Sequence, residues 1–194
     1  MELVLVRHGE TEWSRTGQHT GSTDLDLVDR GRAQAREITP TLTKLLGGRR
    51  AGAVYTSPLR RAAITAAIAC PRVEARTCDL IREYQYGDYE GLTSKEIRTR
   101  VPGWDIWRDG CPNGEQTPEV GARADRFLTE YAERNTLVIA FSHGHMIRIL
   151  AARALGLEAC QGHLFAVDTA SVSVIKDVGG KRVIALWNLV GDLI

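Results

Sequence analysis

The stretch LVLVRHGETEW, residues 3–13, runs from four consecutive aliphatic residues directly into Arg7, His8 and Gly9. A short apolar run of this kind is typical of a buried strand, and here it ends in a guanidinium and an imidazole. Gly9 would allow a sharp backbone turn or the close approach of a ligand. Because ligands of open α/β sheets bind at the carboxyl ends of the strands, the stretch predicts a site at the end of the first strand.

The rest of the chain alternates further apolar runs with segments of helical length. Strands separated by helices predict βαβ crossovers and a mostly parallel sheet, and Gly179-Gly180 predicts a hairpin that adds an antiparallel edge strand. We therefore expect an α/β fold, a three-layer sandwich with helices on both faces of the sheet, in one domain over residues 1–194. The predicted strands are ELVLVR (2–7), AVYT (53–56), TLVIAF (136–141), SVSVIK (171–176) and RVIALW (182–187), with a weaker candidate at RVEAR (72–76). The predicted helices span residues 30–46, 58–69, 93–100, 118–134 and 144–155.

Prolines and a threonine refine the helix boundaries. Pro58 and Pro118 suit first-turn positions, and Thr117 is placed to cap the helix that follows it. Pro40 should kink or split the first long helix. Residues 102–117, with three glycines and two prolines, predict a loop over one end of the sheet.

Composition excludes several classes of function. The net charge is +1, from 25 basic and 24 acidic side chains, so no overall field favours nucleic acid or a membrane surface. The apolar run before Arg7 is too short for a signal peptide, and no run approaches a membrane span, so we expect a cytoplasmic protein. The sequence neither predicts nor excludes a homodimer. The four cysteines have neither CxxC nor zinc-ligand spacing and are expected to be reduced thiols: Cys70, Cys78, Cys111 and Cys160.

A second histidine cluster, SHGHMIR at residues 142–148, directly follows the predicted strand TLVIAF. His143 is therefore expected at the same edge of the sheet as His8. A helix that begins just after His143 would add free N–H groups and the positive end of its dipole. The two His-Gly pairs together predict an oxyanion site.

The segment SPLRRAAITA, residues 57–66, brings Arg60 or Arg61 to the same rim, because it follows the strand AVYT. A guanidinium suits a tetrahedral anion such as phosphate. With Arg7 and the two histidines, this arginine predicts a phosphate pocket in which a neutral imidazole attacks phosphorus. Since the cations supply the charge that a metal supplies elsewhere, we expect no metal ion and no other cofactor.

Four motifs in order carry a family resemblance: RHGE at 7–10, SPLRRAAITA at 57–66, REYQYGDYEG at 82–91 and SHGH at 142–145. The chain resembles the histidine phosphatase superfamily, which has the phosphoglycerate mutase-like fold. An ordered set of motifs over nearly the whole chain is far more specific than any one of them. The resemblance implies a phosphatase that acts on a small phosphorylated metabolite through a phosphohistidine.

The resemblance also implies roles for individual residues. His8 matches the nucleophile, and Arg7, Arg61 and His143 match the groups that bind the phosphoryl group. Glu83 matches the acid that protonates the leaving oxygen and then activates water. Without the resemblance, the nearby acids Asp79, Asp88 and Glu90 are rivals of Glu83, and the whole acidic stretch could be a solvated loop.

Finer matches resemble the branch that contains fungal sedoheptulose bisphosphatase and broad-specificity bacterial acid phosphatases. They lie in EWSRTGQHTGSTDLDL, EYQYGDYEG and WDIWRDGCPNGE. They imply substrate contacts at Thr20, Gly21 and Tyr86, to which we add Ser14 and Gly144. Two secondary histidines have open roles: His145 is a pocket wall or a surface residue, and His19 lies at the substrate entrance or simply in a loop.

Three departures from the family pattern bear on function. Many members carry asparagine at the position of Ser14, and Val28 replaces a threonine that would cap the following helix, with Asp29 as a substitute. The 60-residue interval from Glu83 to His143 is shorter than in the cofactor-dependent phosphoglycerate mutases. Hydrolysis of sugar phosphates or phosphoglycerate-like acids is therefore favoured over mutase activity. A phosphoglycerate mutase and a noncatalytic phosphate-binding module are the alternatives.

Overall fold

A computed structural model describes residues 1–132 and 137–191. The strands are β1 (Glu2–Arg7), β2 (Ala53–Thr56), β3 (Arg76–Thr77), β4 (Leu137–Ser142), β5 (Val172–Val178) and β6 (Lys181–Leu189). They form one six-stranded sheet at the centre of the fold, with the strand order β3-β2-β4-β1-β5-β6. The first four strands in that order are mutually parallel, whereas β5 runs antiparallel to both β1 and β6. The expected α/β fold with a mostly parallel sheet is therefore confirmed.

Helices cover both faces of the sheet, as the alternation of side chains in β1 requires. The helices are α1 (Glu12–Thr16), α2 (Asp29–Leu46), α3 (Arg60–Ala69), α4 (Ser94–Arg100), α5 (Ile106–Asp109), α6 (Thr117–Phe127) and α7 (Gly144–Ala154). Leu3 and Leu5 belong to one buried cluster, and Val4 and Val6 belong to the other. The first cluster includes residues of α6 and α7, and the second includes residues of α2 and α3, which gives the three layers.

Several local predictions are wrong. Of the candidate strand RVEAR only Arg76 pairs, in the two-residue β3, because this exposed segment has no apolar face to bury. The helix α2 is not split at Pro40, because Ile38, Thr41 and Leu42 on either side of the proline are buried, and a kink there stays a prediction. Pro58 precedes α3, which begins at Arg60. The predicted loop at 102–117 contains the short helix α5.

The start of α6 also differs from the prediction. Its N-cap is Gln116, and the hydroxyl of Thr117 instead donates to the carbonyl oxygen of Ile106 at 3.0 Å. Pro118 does lie in the first turn, as predicted. The α-helix ends at Phe127 and continues as a π-helical segment, and the last predicted helical positions, 133–134, lie outside the described residues, as does residue 136 of the strand TLVIAF.

The register of the central strands brings the predicted motifs together. Arg7 at the end of β1 is paired with Ser142 at the end of β4, and the N–H of His8 donates to the carbonyl oxygen of Ser142 at 3.0 Å. Gly9 serves a close approach of backbone rather than of a ligand. A Cβ there would lie 2.3 Å from the carbonyl oxygen of Gly31 in α2. The absence of a side chain thus lets α2 pack against the chain just after His8.

Candidate active site

His8 is buried directly beyond β1, with 5% of its surface exposed. Its Nδ1 lies 2.7 Å from the carbonyl oxygen of Gly9. Because that oxygen can only accept, Nδ1 carries the proton and Nε2 holds a free lone pair. Burial, together with the cations Arg61 and Arg7, holds the pKa of His8 well below its ordinary value. His8 is therefore a neutral imidazole in the tautomer that a nucleophile needs.

His143 is the N-cap residue of α7 and lies beside His8, with 5.2 Å between the ring centroids. Nε of Arg61 donates to Nδ1 of His143 at 3.2 Å, which leaves the proton of the imidazole on Nε2. That Nε2 lies 2.7 Å from the hydroxyl oxygen of Ser57. Burial first, and Arg61 second, lower the pKa of His143 well below its ordinary value. The second histidine is thus also neutral, and it presents a proton toward Ser57.

The two consecutive arginines of α3 point to different places. Arg61 is fully buried, and its guanidinium donates to the carbonyl oxygens of Thr20, Gly21 and Thr23 at 2.9–3.0 Å. Arg60 is exposed and forms an ion pair with Asp26 at 2.8 Å. Arg61 is therefore the arginine that belongs to the site.

Arg7 closes the other side of the site. Its Nη1 donates to the carbonyl oxygen of Val167 at 2.6 Å, and its guanidinium carbon would lie 3.4 Å from a Cβ at Gly144. Nε of Arg7 is buried and makes no hydrogen bond to any residue within the described part of the chain. This unused charged donor is suited to an anion in the adjacent cavity.

Glu83 lies at the amino end of α7 and satisfies its first N–H groups. Its Oε1 accepts from Tyr84 at 2.9 Å and from Met146 at 3.0 Å, while Oε2 accepts from His145 at 3.2 Å. Burial raises the pKa of Glu83, although these N–H groups and Arg61 oppose the shift. A raised pKa favours the protonated acid. Because Oε2 makes the single and longest of these bonds, it is the oxygen best placed to carry the proton.

The three rivals of Glu83 do not reach this position. Asp79 and Asp88 are exposed. Glu90 is partly buried, and its Oε1 accepts the N–H groups of Gly21 and Thr23. Glu83 is thus the carboxylate that lies with the two histidines.

A cavity of about 230 Å³ opens beside these groups. Arg7, His8 and Glu83 line it directly. Arg61 lies behind the wall and donates to the carbonyl oxygen of the lining residue Thr20, and His143 lies beside the lining residue His8. The remaining lining residues are Ser14, Gly17, Gln18, His19, Thr20, Tyr86, Gly144, His145, Arg148 and Val167.

The predicted substrate contacts fall in three groups. Thr20, Tyr86 and Gly144 line the cavity, as expected for contacts with a ligand. Ser14 also lines it, but its hydroxyl donates to the carbonyl oxygen of Thr11 and accepts the N–H of the same residue, in the capping box of α1. Gly21 lies outside the lining, and its carbonyl oxygen holds Arg61.

Sequence reasoning missed Ser57 and Arg148 and left His19 and His145 undecided. His19 and His145 both line the cavity, and the hydroxyl of Tyr86 lies 2.8 Å from Nδ1 of His145. Burial lowers the pKa of His19 to about 4 and holds that of His145 well below its ordinary value. Both histidine side chains are therefore uncharged near neutral pH. Ser57 could have been found as a hydroxyl at the end of β2, and Arg148 as a cation one helical turn beyond Gly144.

In residues 1–132 and 137–191, no cluster of three or more histidine, cysteine, aspartate or glutamate side chains is arranged to hold a metal ion. The four cysteines are all free thiols, and burial raises the pKa of Cys111 to about 12. Of the described helices, none is long and apolar enough to cross a membrane.

The site combines a buried neutral histidine, two arginines and a carboxyl group with a raised pKa. It lies at the edge of the sheet where the parallel strands end, and these groups together suit phosphoryl transfer. The model of the histidine phosphatase superfamily (branch 1) matches residues 3–190, and the chain belongs to this family. It is an enzyme, a phosphatase of the histidine type.

Individual relatives agree with this assignment. An acid phosphatase from Mycobacterium tuberculosis is 40% identical over 97% of this chain and 93% of its own length. Sedoheptulose 1,7-bisphosphatase from Saccharomyces cerevisiae is 33% identical over 79% of this chain and 67% of its own. The solved structure of the Rv3214 product from Mycobacterium tuberculosis superposes with a TM-score of 0.88, at 38% identity and 98% coverage of both chains. The expected likeness to the acid phosphatase and sedoheptulose bisphosphatase branch is confirmed.

Proposed function

We propose that this enzyme hydrolyses small phosphomonoesters through a phosphohistidine on His8, without a metal ion. The observation that carries the proposal is the tautomer of His8: the carbonyl oxygen of Gly9 holds the proton on Nδ1 and leaves Nε2 unprotonated beside the cavity. A nucleophile with a free lone pair and a lowered pKa is ready to attack without a separate base.

In the first step, Nε2 of His8 forms a bond to phosphorus while the bond from phosphorus to the ester oxygen breaks. Glu83 donates its proton to that leaving oxygen, and its raised pKa supports this role. Arg7 and Arg61 balance the charge on the oxygens of the transferring group, and the neutral His143 contributes a hydrogen-bond donor, the N–H on Nε2.

In the second step, water attacks the phosphohistidine. Glu83, now a carboxylate, accepts a proton from the water, the bond from Nε2 to phosphorus breaks, and phosphate leaves. The proton accepted by Glu83 restores the acid, and His8 returns to its starting state.

Arg148 indicates the class of substrate. It lies four residues after Gly144 on α7, which is a rise of about 6 Å and places both residues on one face of the helix. Its guanidinium lies over the ring of Trp107 at 4.4 Å, and its Nε donates to the carbonyl oxygen of Gly162 at 3.1 Å. The side chain is thus fixed at the cavity wall, as a further cation on the cavity that Arg7 also lines. We infer that the substrate carries a second anionic group, as phosphoglycerate-like acids and sugar bisphosphates do.

The proposal is tested by a screen of metabolite phosphates in which inorganic phosphate is measured in the presence of EDTA. We expect turnover to survive the chelator and to be fastest for substrates with a second anionic group. Arg148→Gln should raise KM for those substrates by about tenfold, the loss of roughly one charged hydrogen bond, and leave p-nitrophenyl phosphate nearly unchanged.

Arg153→Gln is the matched control, because Arg153 lies on the same helix and pairs with Asp125 away from the cavity. An equal effect of both substitutions, or of Arg148→Gln on both substrates, would refute the second-anion inference. Turnover that requires bisphosphoglycerate and keeps the phosphate on the organic product would replace hydrolysis by mutase activity.

A further inference from the structure

Arg61 is held almost entirely by the protein itself. An arginine has five N–H donors, and four of those of Arg61 are engaged, one by His143 and three by the carbonyl oxygens of Thr20, Gly21 and Thr23. The one remaining N–H is on Nη1. Its direction, and therefore its use for a phosphoryl group, depends on the position of the segment of residues 20–23.

That segment has no regular secondary structure, so its position must be fixed by side chains. The side chain of Glu90 accepts two hydrogen bonds from this segment. Its Oε1 accepts the N–H of Gly21 at 2.8 Å and the N–H of Thr23 at 3.0 Å. The N–H of Gly21 and the carbonyl oxygen of Thr20 belong to the same peptide group. Glu90 and Arg61 therefore bind the two ends of one peptide dipole, and each bond polarises the group in favour of the other.

The position of Glu90 is set by backbone bonds. The N–H of His19 donates to the carbonyl oxygen of Leu92, and the N–H of Gly91 donates to the carbonyl oxygen of His19, both at 2.9 Å. A Cβ at Gly21 would lie 2.7 Å from Oε2 of Glu90, so only glycine allows the carboxylate to come this close. Oε2 is buried and has no hydrogen-bond partner among the residues that the structure describes. The carboxylate thus holds the segment through the two bonds of Oε1, at the cost of an unsatisfied oxygen.

We propose that Glu90 is a positioning residue of the phosphoryl site: it fixes residues 20–23, which in turn orient Arg61 and its partner His143. This role rests on the phosphatase mechanism proposed above. Glu90 itself touches no reacting atom, and it does not line the cavity.

The test is a double-mutant cycle between Glu90 and Arg61 in kcat/KM. Glu90→Ala should lower kcat/KM by about 100-fold, the loss expected when a catalytic group is displaced by about 1 Å. In the Arg61→Ala background the same change should cost less than about threefold, because the group that Glu90 positions is already absent. Additive losses would overturn the proposal.

Two conservative variants separate position from charge and from folding. Glu90→Gln retains an oxygen that can accept both N–H groups and should keep most of the activity. Glu90→Asp keeps the charge but is one methylene shorter, and it should lose nearly as much as Glu90→Ala. If Glu90→Ala does not fold, Glu90→Asp takes its place in the cycle. The opposite order of the aspartate and glutamine variants would show that charge, not position, is what Glu90 supplies.

The matched control is Glu119→Ala, which removes another glutamate that accepts a backbone N–H, that of Gln116 at 2.7 Å. It should lower thermal stability without any coupling to Arg61 in kcat/KM. The same cycle measured for binding of inorganic phosphate needs no turnover. An inactive wild-type enzyme would therefore refute the proposed function, while additive effects on phosphate binding would refute the role of Glu90 separately.

Discussion

At the residue scale, the two neighbouring arginines of α3 offer the sharpest contrast. Arg61→Ala removes a fully buried donor, and we expect kcat/KM to fall by about 10²–10³, as for the loss of one donor to a transition-state oxyanion. Arg60→Ala removes an exposed ion pair with Asp26, and kcat/KM should change by less than about threefold. Steady-state kinetics on both variants, with thermal unfolding as a check on folding, decide the matter. The reverse ranking would show that Arg60, and not Arg61, is the arginine of the pocket.

Glu83→Gln should have an effect that depends on the leaving group. The amide cannot donate a proton, so transfer from an alkyl phosphate, whose alkoxide leaves poorly, should slow severely. With p-nitrophenyl phosphate the first step should be much less affected, and a burst of nitrophenolate should precede slow turnover, because water activation is still impaired.

Rapid-quench kinetics measure both effects, and the amide variants of Asp79, Asp88 and Glu90 serve as controls. Equal losses with alkyl and aryl substrates for Glu83→Gln would contradict the assignment. The same leaving-group signature in one of the controls would contradict it as well.

The pKa shifts at the site predict the pH dependence of kcat/KM. His8 must be neutral, so activity should be lost only as pH falls through its lowered pKa, below the ordinary 6.5. Glu83 must be protonated in the free enzyme, so activity toward alkyl phosphates should be lost as pH rises through its raised pKa, above the ordinary 4.5. We therefore expect an acid limb set by His8 and, with an alkyl substrate, an alkaline limb set by Glu83, and Glu83→Gln should remove the alkaline limb from the residual activity toward that substrate. An alkaline limb that survives in Glu83→Gln would assign it to another group.

Among the helices, α7 at the site and α2, which packs beside it at Gly9, begin without a side-chain cap from the N-cap residue. The N-cap residue of α7, His143, makes no side-chain capping bond, and the buried carboxylate of Glu83 accepts the N–H groups of the first turn instead. When Glu83 is ionised, its charge is thus partly balanced by the amino end of α7.

No side chain of the N-cap residue caps the start of helix α2. Its N-cap is Val28, with φ −73° and ψ 168° and no side-chain hydrogen bond, and the expected substitute Asp29 is instead the first helical residue. Val28→Thr should raise the free energy of unfolding by about 1 kcal/mol, because a hydroxyl at this backbone geometry can accept an N–H of the first turn. Denaturant unfolding of Val28→Thr and of Val28→Ala as control measures the gain. A threonine variant no more stable than the alanine variant would contradict this account of the helix start.

Across the whole molecule, the sequence predicted the features that depend on hydrophobic periodicity and on where the strands end. The strands β1 and β4 are continuous apolar runs, and parallel pairing alone brings Arg7 and His143 to one edge. The wall of the cavity was harder to predict. His19, Tyr86 and Glu83 lie in segments without periodicity, and their positions follow from long-range bonds such as that of His19 to Leu92. Four acids in one stretch therefore could not be ranked from spacing, and Glu83 was chosen by family resemblance alone.

The proposed mechanism requires His8 to be phosphorylated during turnover. The direct measurement is mass spectrometry of the enzyme quenched in alkaline denaturant during the steady state with p-nitrophenyl phosphate. We expect a phosphoryl group on His8, a larger phosphorylated fraction in Glu83→Gln, and neither label nor turnover in a folded His8→Ala variant. A phosphoryl group on any other residue, or turnover that persists in His8→Ala, would refute the phosphohistidine mechanism.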